Sequence, residues 1–223
     1  MERVPEPELM EEEGQVRAYA EADFEDAHSR FIALFQDMFG HKGINGYVLD
    51  LGCGHGDITI RFARAYPGCI VHGVDGSEAM IRYGKGLLRE ARDIHDRVKL
   101  IHGRLPEAVL PITKYDIVIS NSLLHHLPNP RVLYQVIQRY ANSGAPVFIM
   151  DLKRPQTVVE ARALMETYVA NEPEILRRDF YNSLLAAFEA EEIHEQLRET
   201  KLKHVSVKVV SDRHVIIAGY MSS

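Results

Sequence analysis

The residues best suited to chemistry in this chain are acids and histidines lying beside glycines. Gly52-Cys53-Gly54-His55-Gly56 follows a short apolar run, Tyr47 to Leu51, and precedes a helical stretch from about Asp57. Glycine lets a chain turn sharply and lets a ligand come close to the backbone. The spacing is G-x-G-x-G, not the G-x-G-x-x-G of dinucleotide folds, and Asp50 stands two positions before the first glycine. A carboxylate there suits a cationic group, an ammonium or a sulfonium, better than a pyrophosphate. A second acid, Asp75, closes the next apolar run 19 residues after Gly56 and is followed by Gly76 and Ser77. At a strand end it can accept hydrogen bonds from both hydroxyls of a ribose. The competing use is capping of the helix that follows, by Asp75 or Ser77.

Further along, Tyr115 to Ser120 is continuously apolar and runs into Asn121-Ser122-Leu123-Leu124-His125-His126. Histidine titrates near neutrality, so His125 and His126 are candidate general bases; packing and loop shape are their other use. Asp151 ends a later apolar run, where it either faces the pocket rim or pairs with Lys153 or Arg154. His55, among the glycines, reads as a packing neighbour of the ligand.

These residues need a scaffold that gathers strand ends. Apolar runs at 47–51, 70–74, 98–102, 115–120 and 147–150 alternate with helical stretches at about 57–66, 77–95 and 130–140. Gly84 and Gly86 weaken the second of these helices, and Asn129-Pro130 supplies a start signal for the third. Strict alternation of this kind gives an α/β fold, a doubly wound and mostly parallel sheet. Ligands bind there outside the carboxyl ends of the strands, where the strand order reverses. The remaining segments differ. Residues 1–14, ending Glu11-Glu12-Glu13-Gly14, read as a frayed arm. One or two amphipathic helices occupy about 15–39. Helices follow at 157–169 and about 173–200, and a closing antiparallel hairpin at 203–210 and 214–220.

With 223 residues, 46% of them hydrophobic, the chain suffices for one domain with a substantial core. Its formal net charge of −6 disfavours nucleic acid as a partner. The basic stretch between Arg82 and Arg104 is interspersed with acids and reads as a solvated face. The two cysteines, Cys53 and Cys69, fall at opposite edges of such a sheet and are not expected to pair. Without cysteine pairs or metal-ligand spacing, a reducing cytoplasm is expected and no metal is. No apolar run reaches membrane-spanning length, and the acidic, proline-rich start is unlike a signal peptide.

Val48 to Gly56, Gly73 to Met80 and Tyr115 to Pro128 together resemble the motifs of class I S-adenosylmethionine (SAM) dependent methyltransferases. The last is most similar to the small-molecule branch that includes quinone-biosynthesis enzymes. The resemblance spans roughly residues 44–152. It implies a Rossmann-like, seven-stranded sheet with an antiparallel last strand, and transfer of methyl from SAM, leaving S-adenosylhomocysteine (SAH). By this resemblance Asp50 organises the methionine end, Gly52, Cys53 and Gly54 line the cofactor, and Asp75 with Gly76 holds the ribose. Met80 lies near the adenine, and Asn121 reaches the methionine moiety. The family often has an acid followed by an apolar residue after the third strand; here His102-Gly103-Arg104-Leu105 stands. Arginine cannot accept a hydrogen bond, so Arg104 and Leu105 are expected to serve the adenine through backbone groups.

Methyl transfer from a sulfonium is an in-line displacement in which alignment supplies much of the rate. A general base, for which His125, His126 and Asp151 are the candidates, is needed only for a protonated nucleophile. The acceptor is expected under the N-terminal helices and a helical insert after the fifth strand, with Tyr19, His125, Tyr168, Arg177 and Tyr181 as substrate contacts. Arg177-Arg178 before Phe180-Tyr181 would form a pocket for an acidic aromatic molecule. The expected organisation is one methyltransferase domain. It divides into an arm and cap helices (1–43), a SAM-binding core (44–154), a helical cap with the last crossover helix (155–200) and a hairpin (201–223). The oligomeric state, monomer or homodimer, stays open. The competing classes are a methyltransferase for RNA, DNA or protein, a fold that uses SAM otherwise, and an NAD-dependent oxidoreductase. The Asn/Asp-Pro-Pro-aromatic tetrapeptide of amino-methylating nucleic-acid enzymes is absent after the fourth strand.

Overall fold

A computed structural model describes residues 1–6, 11–40, 43–200, 202 and 204–222. Five strands, β1 (Gly46–Leu51), β2 (Cys69–Asp75), β3 (Val98–His102), β4 (Ile117–Asn121) and β5 (Pro146–Leu152), run parallel. The hairpin β6 (Val205–Val209) and β7 (His214–Tyr220) completes a seven-stranded sheet in the order β3-β2-β1-β4-β5-β7-β6. β7 is antiparallel to both of its neighbours. The expected hairpin start at Lys203 lies outside the described residues. Strand order reverses between β1 and β4, so the ends of those two strands, at Leu51 and Asn121, mark the switch point.

The central strands are apolar throughout because helices cover both faces of the sheet. Successive residues belong to opposite cores. Leu49, Val118 and Val147 pack with α5 (Arg131–Tyr140) and α8 (Ala190–Glu199). Val48, Ile117 and Phe148 pack with α2 (Glu25–Phe39) and α3 (Asp57–Ala65). Phe31 and Phe35 of α2 each meet the edge of Phe148 in β5, with ring centroids 4.9 and 5.7 Å apart. The second N-terminal helix is thus part of a core. α1 (Glu13–Glu21) lies beside the glycine loop, with Val16 packed on Ala79 and Met80 of α4 (Glu78–Glu90). Gly84 in α4 has a packing use. A Cβ there would sit 2.3 Å from the His55 carbonyl oxygen, so glycine lets the helix close against the loop.

Two expectations are corrected. The helical stretch expected over about 173–200 is divided into α7 (Glu174–Ala186) and α8, following α6 (Val158–Tyr168). The chain leaves the helix because Phe188 forms a strand-like bridge with Lys153 and its carbonyl accepts from the Arg154 N–H. Reciprocal hydrogen bonds between Glu189 and Glu192 then open α8. The start of the chain is not a frayed arm over residues 1–6. The Val4 N–H donates to the Leu185 carbonyl at 3.0 Å. The Arg3 guanidinium donates to the carbonyls of Ala186, His125 and Leu127 and lies 4.0 Å above the Phe188 ring. Three carbonyls and an aromatic face hold this segment where the acidic, proline-rich sequence suggested none would. No helix of the described residues is long and apolar enough to cross a membrane.

Candidate functional site

A cleft of about 960 Å³ opens at the switch point. Its floor is the loop from Gly52 to Gly56, whose three glycines all adopt positive φ. The Gly52 and Cys53 N–H groups donate to the Val74 carbonyl, tying the loop to β2. Gly54, at φ +54°, has nothing within 4 Å of where a Cβ would be, so its Cα faces open space in the cleft. Asp75 braces this loop: one carboxylate oxygen accepts from the Gly54 N–H and the other from the Ser77 N–H, both at 2.8 Å. The capping of α4 is done by the Ser77 hydroxyl, which accepts from the Met80 N–H. Each oxygen of Asp75 therefore retains capacity for a further donor. Burial raises the Asp75 pKa and its two backbone donors oppose the rise.

Asp50, 1% exposed, accepts from the Thr59 hydroxyl at 2.6 Å. Burial pushes its pKa up to about 7, with the nearby Asp75 adding to the rise and Thr59 opposing it. Asn121 ends β4, and its side-chain oxygen is buried without a hydrogen-bond partner. An orphaned buried acceptor is costly unless a ligand supplies the donor. Gly76, Met80, Arg104 and Leu105 complete the wall, so all ten residues expected at the cofactor line one cleft. His55 lines it as well, edge-on to Tyr19 and Tyr83, and burial lowers its pKa.

A second cavity of about 1180 Å³ adjoins the first. The two share a wall made of Tyr19, His28, Asn121, Ser122 and His126. Burial, with the charges of Asp57, Asp75 and Asp151, pushes the Tyr19 phenol up to about 12, so it stays neutral. Phe24, Leu176 and Phe180 supply apolar surface, and Arg213 and His214 enter from the β6–β7 turn. Burial pulls His214 down to about 4.

The residues expected at the acceptor divide. Tyr19, His125 and Tyr168 line this cavity, whereas Arg177 and Tyr181 line neither. Helical period is the reason. Leu176, Asp179, Phe180 and Ser183, spaced i, i+3, i+4, i+7, form the inward face of α7. Arg177 instead pairs with Glu166 at 2.8 Å, and the exposed Arg178 pairs with Asp179. The acidic-substrate pocket expected from these two arginines is therefore not formed. Tyr168 is committed to Asp212 through its hydroxyl at 2.6 Å and lies under the Arg213 guanidinium.

His125 and His126 sit in a 3₁₀ turn (Leu124–His126) after β4. His125 is buried, with Nδ1 2.6 Å from Asp151 Oδ1. Burial works to lower its pKa, but the carboxylates of Asp151 and Glu6 outweigh that and raise it. Both expectations for Asp151 are corrected. It is 1% exposed and lines neither cavity, and Arg154 pairs with Glu189 and Glu192 instead. Asp151 accepts from the Leu124 and Leu152 N–H groups and holds the His125 ring, which makes it a positioning residue. Sequence reasoning missed Glu6 and Ser122, and the N-terminal helices were expected to bring His28 over the strand ends, where it lines both cavities. Ser122 alone signals itself by strain, as the one non-glycine with positive φ among the described residues, at +54°. His28 holds Asp57 at 2.6 Å, a contact between two helices that no spacing in the chain announces.

A sheet of this order, with a glycine loop and two acids at its switch point, defines a nucleoside-binding fold of the methyltransferase class. Residues 49–147 match the family described as a methyltransferase domain. The chain is 32% identical over 154 residues to protein arginine N-methyltransferase 1 of Schizosaccharomyces pombe, covering 69% of this chain and 41% of that protein. It is 31% identical over 116 residues to the ubiquinone biosynthesis O-methyltransferase of an Azoarcus species, covering 52% and 48%. A SAM-dependent methyltransferase from Aquifex aeolicus shares the fold, with a TM-score of 0.68 at 14% identity over 95% of this chain and all of that one. Residues 49–147 thus match a methyltransferase domain, and the chain shares its fold with the SAM-dependent methyltransferase from Aquifex aeolicus. The chain spans less than half the length of these two curated relatives.

Proposed function

We propose that the protein transfers a methyl group from SAM to a small molecule held in the second cavity. The observation that carries this reading is the shared wall, because a methyl donor and an acceptor must meet in line. The cleft suits the donor on three counts. Asp75 retains acceptor capacity for ribose hydroxyls, the Asn121 oxygen awaits a donor such as an ammonium, and Gly54 opens the backbone to close approach. When bound, SAM supplies a methyl group already activated on a sulfonium. The chain's own part is to hold and orient. Asp50 at the end of β1 places negative charge beside a cation, and burial makes that charge count. Tyr19, Phe24 and Phe180 line the acceptor side with ring surface that limits water, while His126 presents a polar edge at the junction of the cavities.

The acceptor we infer is mainly apolar with one polar reacting end, which agrees with the name of the quinone-pathway relative. Both cysteines are buried and free, which supports a reducing cytoplasm as the place of action.

Calorimetry and thermal unfolding with SAM, SAH and NAD test the donor. SAM and SAH are expected to bind and raise the melting temperature, by about 2.7 kcal/mol of added stability at a hundredfold excess over Kd, while NAD does neither. No stabilisation by either adenosyl compound overturns the reading. A panel of phenols, thiols and carboxylates beside an arginine peptide tests the acceptor; methylation of the peptide alone overturns that half.

A further inference from the structure

Glu6, near the start of the chain, meets His125 and His126, from the turn after β4, beside the second cavity. Glu6 Oε1 lies 3.6 Å from His125 Nε2 and 3.2 Å from His126 Nδ1. All three candidate donor atoms fall within 4.8 Å of one another. Ligands at about 2.0–2.1 Å from a tetrahedral metal ion stand about 3.3 Å apart. Two edges of this triangle already have that length, and a modest turn of one imidazole shortens the third. The two rings are stacked with centroids 4.1 Å apart, an arrangement that two imidazolium ions would oppose and that two neutral ligands suit.

The surroundings are those of a held ligand set. The side chains of Glu6, His125 and His126 are 9%, 3% and 15% exposed. His125 gives its other nitrogen to Asp151, which fixes its tautomer and turns Nε2 toward Glu6. A carboxylate behind a metal-ligating histidine raises its basicity and sets its direction. Glu6 Oε1 also accepts from the Ser183 hydroxyl at 2.9 Å, and Arg3 anchors the segment that carries it. Two buried carboxylates facing two imidazoles call for a positive charge, and a proton or a cation supplies it.

We propose that Glu6, His125 and His126 bind one divalent first-row transition-metal ion, with a coordination position open to the second cavity. His126 lines both cavities, and His125 lines the second. An ion held there would take an acceptor through an oxygen, nitrogen or sulfur donor next to the atom to be methylated. It would act as a Lewis acid that lowers the acceptor's pKa, so that its proton leaves to solvent water before methyl transfer. A phenol or thiol with a neighbouring donor atom fits such a site. This substrate class rests on the methyltransferase reading above, whereas metal binding itself does not.

The test uses metal-stripped, tag-free full-length protein titrated with zinc chloride in a calorimeter. One equivalent is expected to bind, at least ~100-fold more weakly in Glu6→Gln and not at all in a His125→Ala, His126→Ala double variant. Cobalt substituted for zinc should give a visible absorption band that Glu6→Gln removes. Glu6→Gln keeps an acceptor for Ser183, so it decides the matter even where the double variant fails to fold. No one-equivalent binding of zinc, manganese or cobalt overturns the proposal, and so does binding that Glu6→Gln leaves intact. SAH titrated into the same stripped protein is expected to bind within twofold of its affinity for the metal-loaded protein. A failure to bind SAH therefore strikes the function and leaves the metal result standing.

Discussion

The two cavities are built from different material. The cleft at the switch point is walled by strand ends and backbone: Asp75 is locked between two N–H groups, and the glycine loop is tied to the carbonyl of Val74. The second cavity takes the ends of β4 and β5, at Asn121, Met150 and Leu152, but most of its wall is side chains from α1, α2, the 3₁₀ turn, α6, α7 and the β6–β7 turn. In the first, sheet hydrogen bonding sets positions before any ligand arrives. In the second, helical side chains can be exchanged one at a time without touching that frame. On the function proposed above, a fixed donor site beside a replaceable acceptor site would let one chemistry serve many substrates.

Three sets of measurements strain this contrast in turn. The largest effect is expected at Asp75. Asp75→Ala removes the brace of the Gly54 loop and the ribose contact proposed above together. SAM binding should weaken at least ~100-fold, since each charge-assisted bond lost is worth about 1.5–3 kcal/mol. A calorimetric Kd within a few-fold of wild type would show that the cleft does not depend on its frame.

The next concerns pH. Asp50 titrates at about 7 when the cleft is free, and a cationic ligand prefers its ionised form. SAM affinity is therefore expected to rise roughly tenfold between pH 6 and pH 8, and Asp50→Asn should flatten the curve. The sign for the free protein is opposite. A carboxyl with a raised folded pKa stabilises the fold below its unfolded value, near 4, and that stability is lost as pH rises through about 7. A ligand-free melting temperature that climbs over this range because of Asp50 would break the assignment.

The smallest effects separate two faces of α7. Phe180→Ala should raise the acceptor KM roughly fivefold, from the loss of about 1 kcal/mol of apolar contact, with the SAH Kd unchanged. Arg177→Ala, which removes only the ion pair with Glu166, should leave both within about twofold. Equal effects of the two would mean that the inward face of α7 is wrongly drawn.

Local and distant order explain what could be read in the chain. Asp50, the glycines and Asp75 are legible because each stands at a strand end, and strand ends show as apolar runs meeting glycine. The alternation of strands and helices fixes where those ends gather. The acceptor side obeys no such rule. The aromatic and basic residues of α7 were visible, yet the face of a helix that turns inward is decided by its partners, and here Leu176 and Phe180 face in while Arg177 and Tyr181 do not. Asp151 was expected either at the pocket rim or paired with its chain neighbours, and instead serves a histidine in the turn after β4. Glu6 is farther still from what it touches, and a proline-rich acidic start gives no hint of Arg3 threading its guanidinium among three carbonyls.

The reversed direction of β7 also decides what the chain can reach. Leu152 at the end of β5 is in register with His214 at the beginning of β7. A parallel seventh strand would begin at the far edge of the sheet, and the segment leading into it would never come near the ligands. Running backwards, β7 delivers the tip of its hairpin, with Arg213 and His214, to the mouth of the second cavity. A hairpin tip can be lengthened or shortened without shifting the strands behind it. This corner is where a designer, or a lineage, could reshape the second cavity while leaving the switch-point cleft untouched.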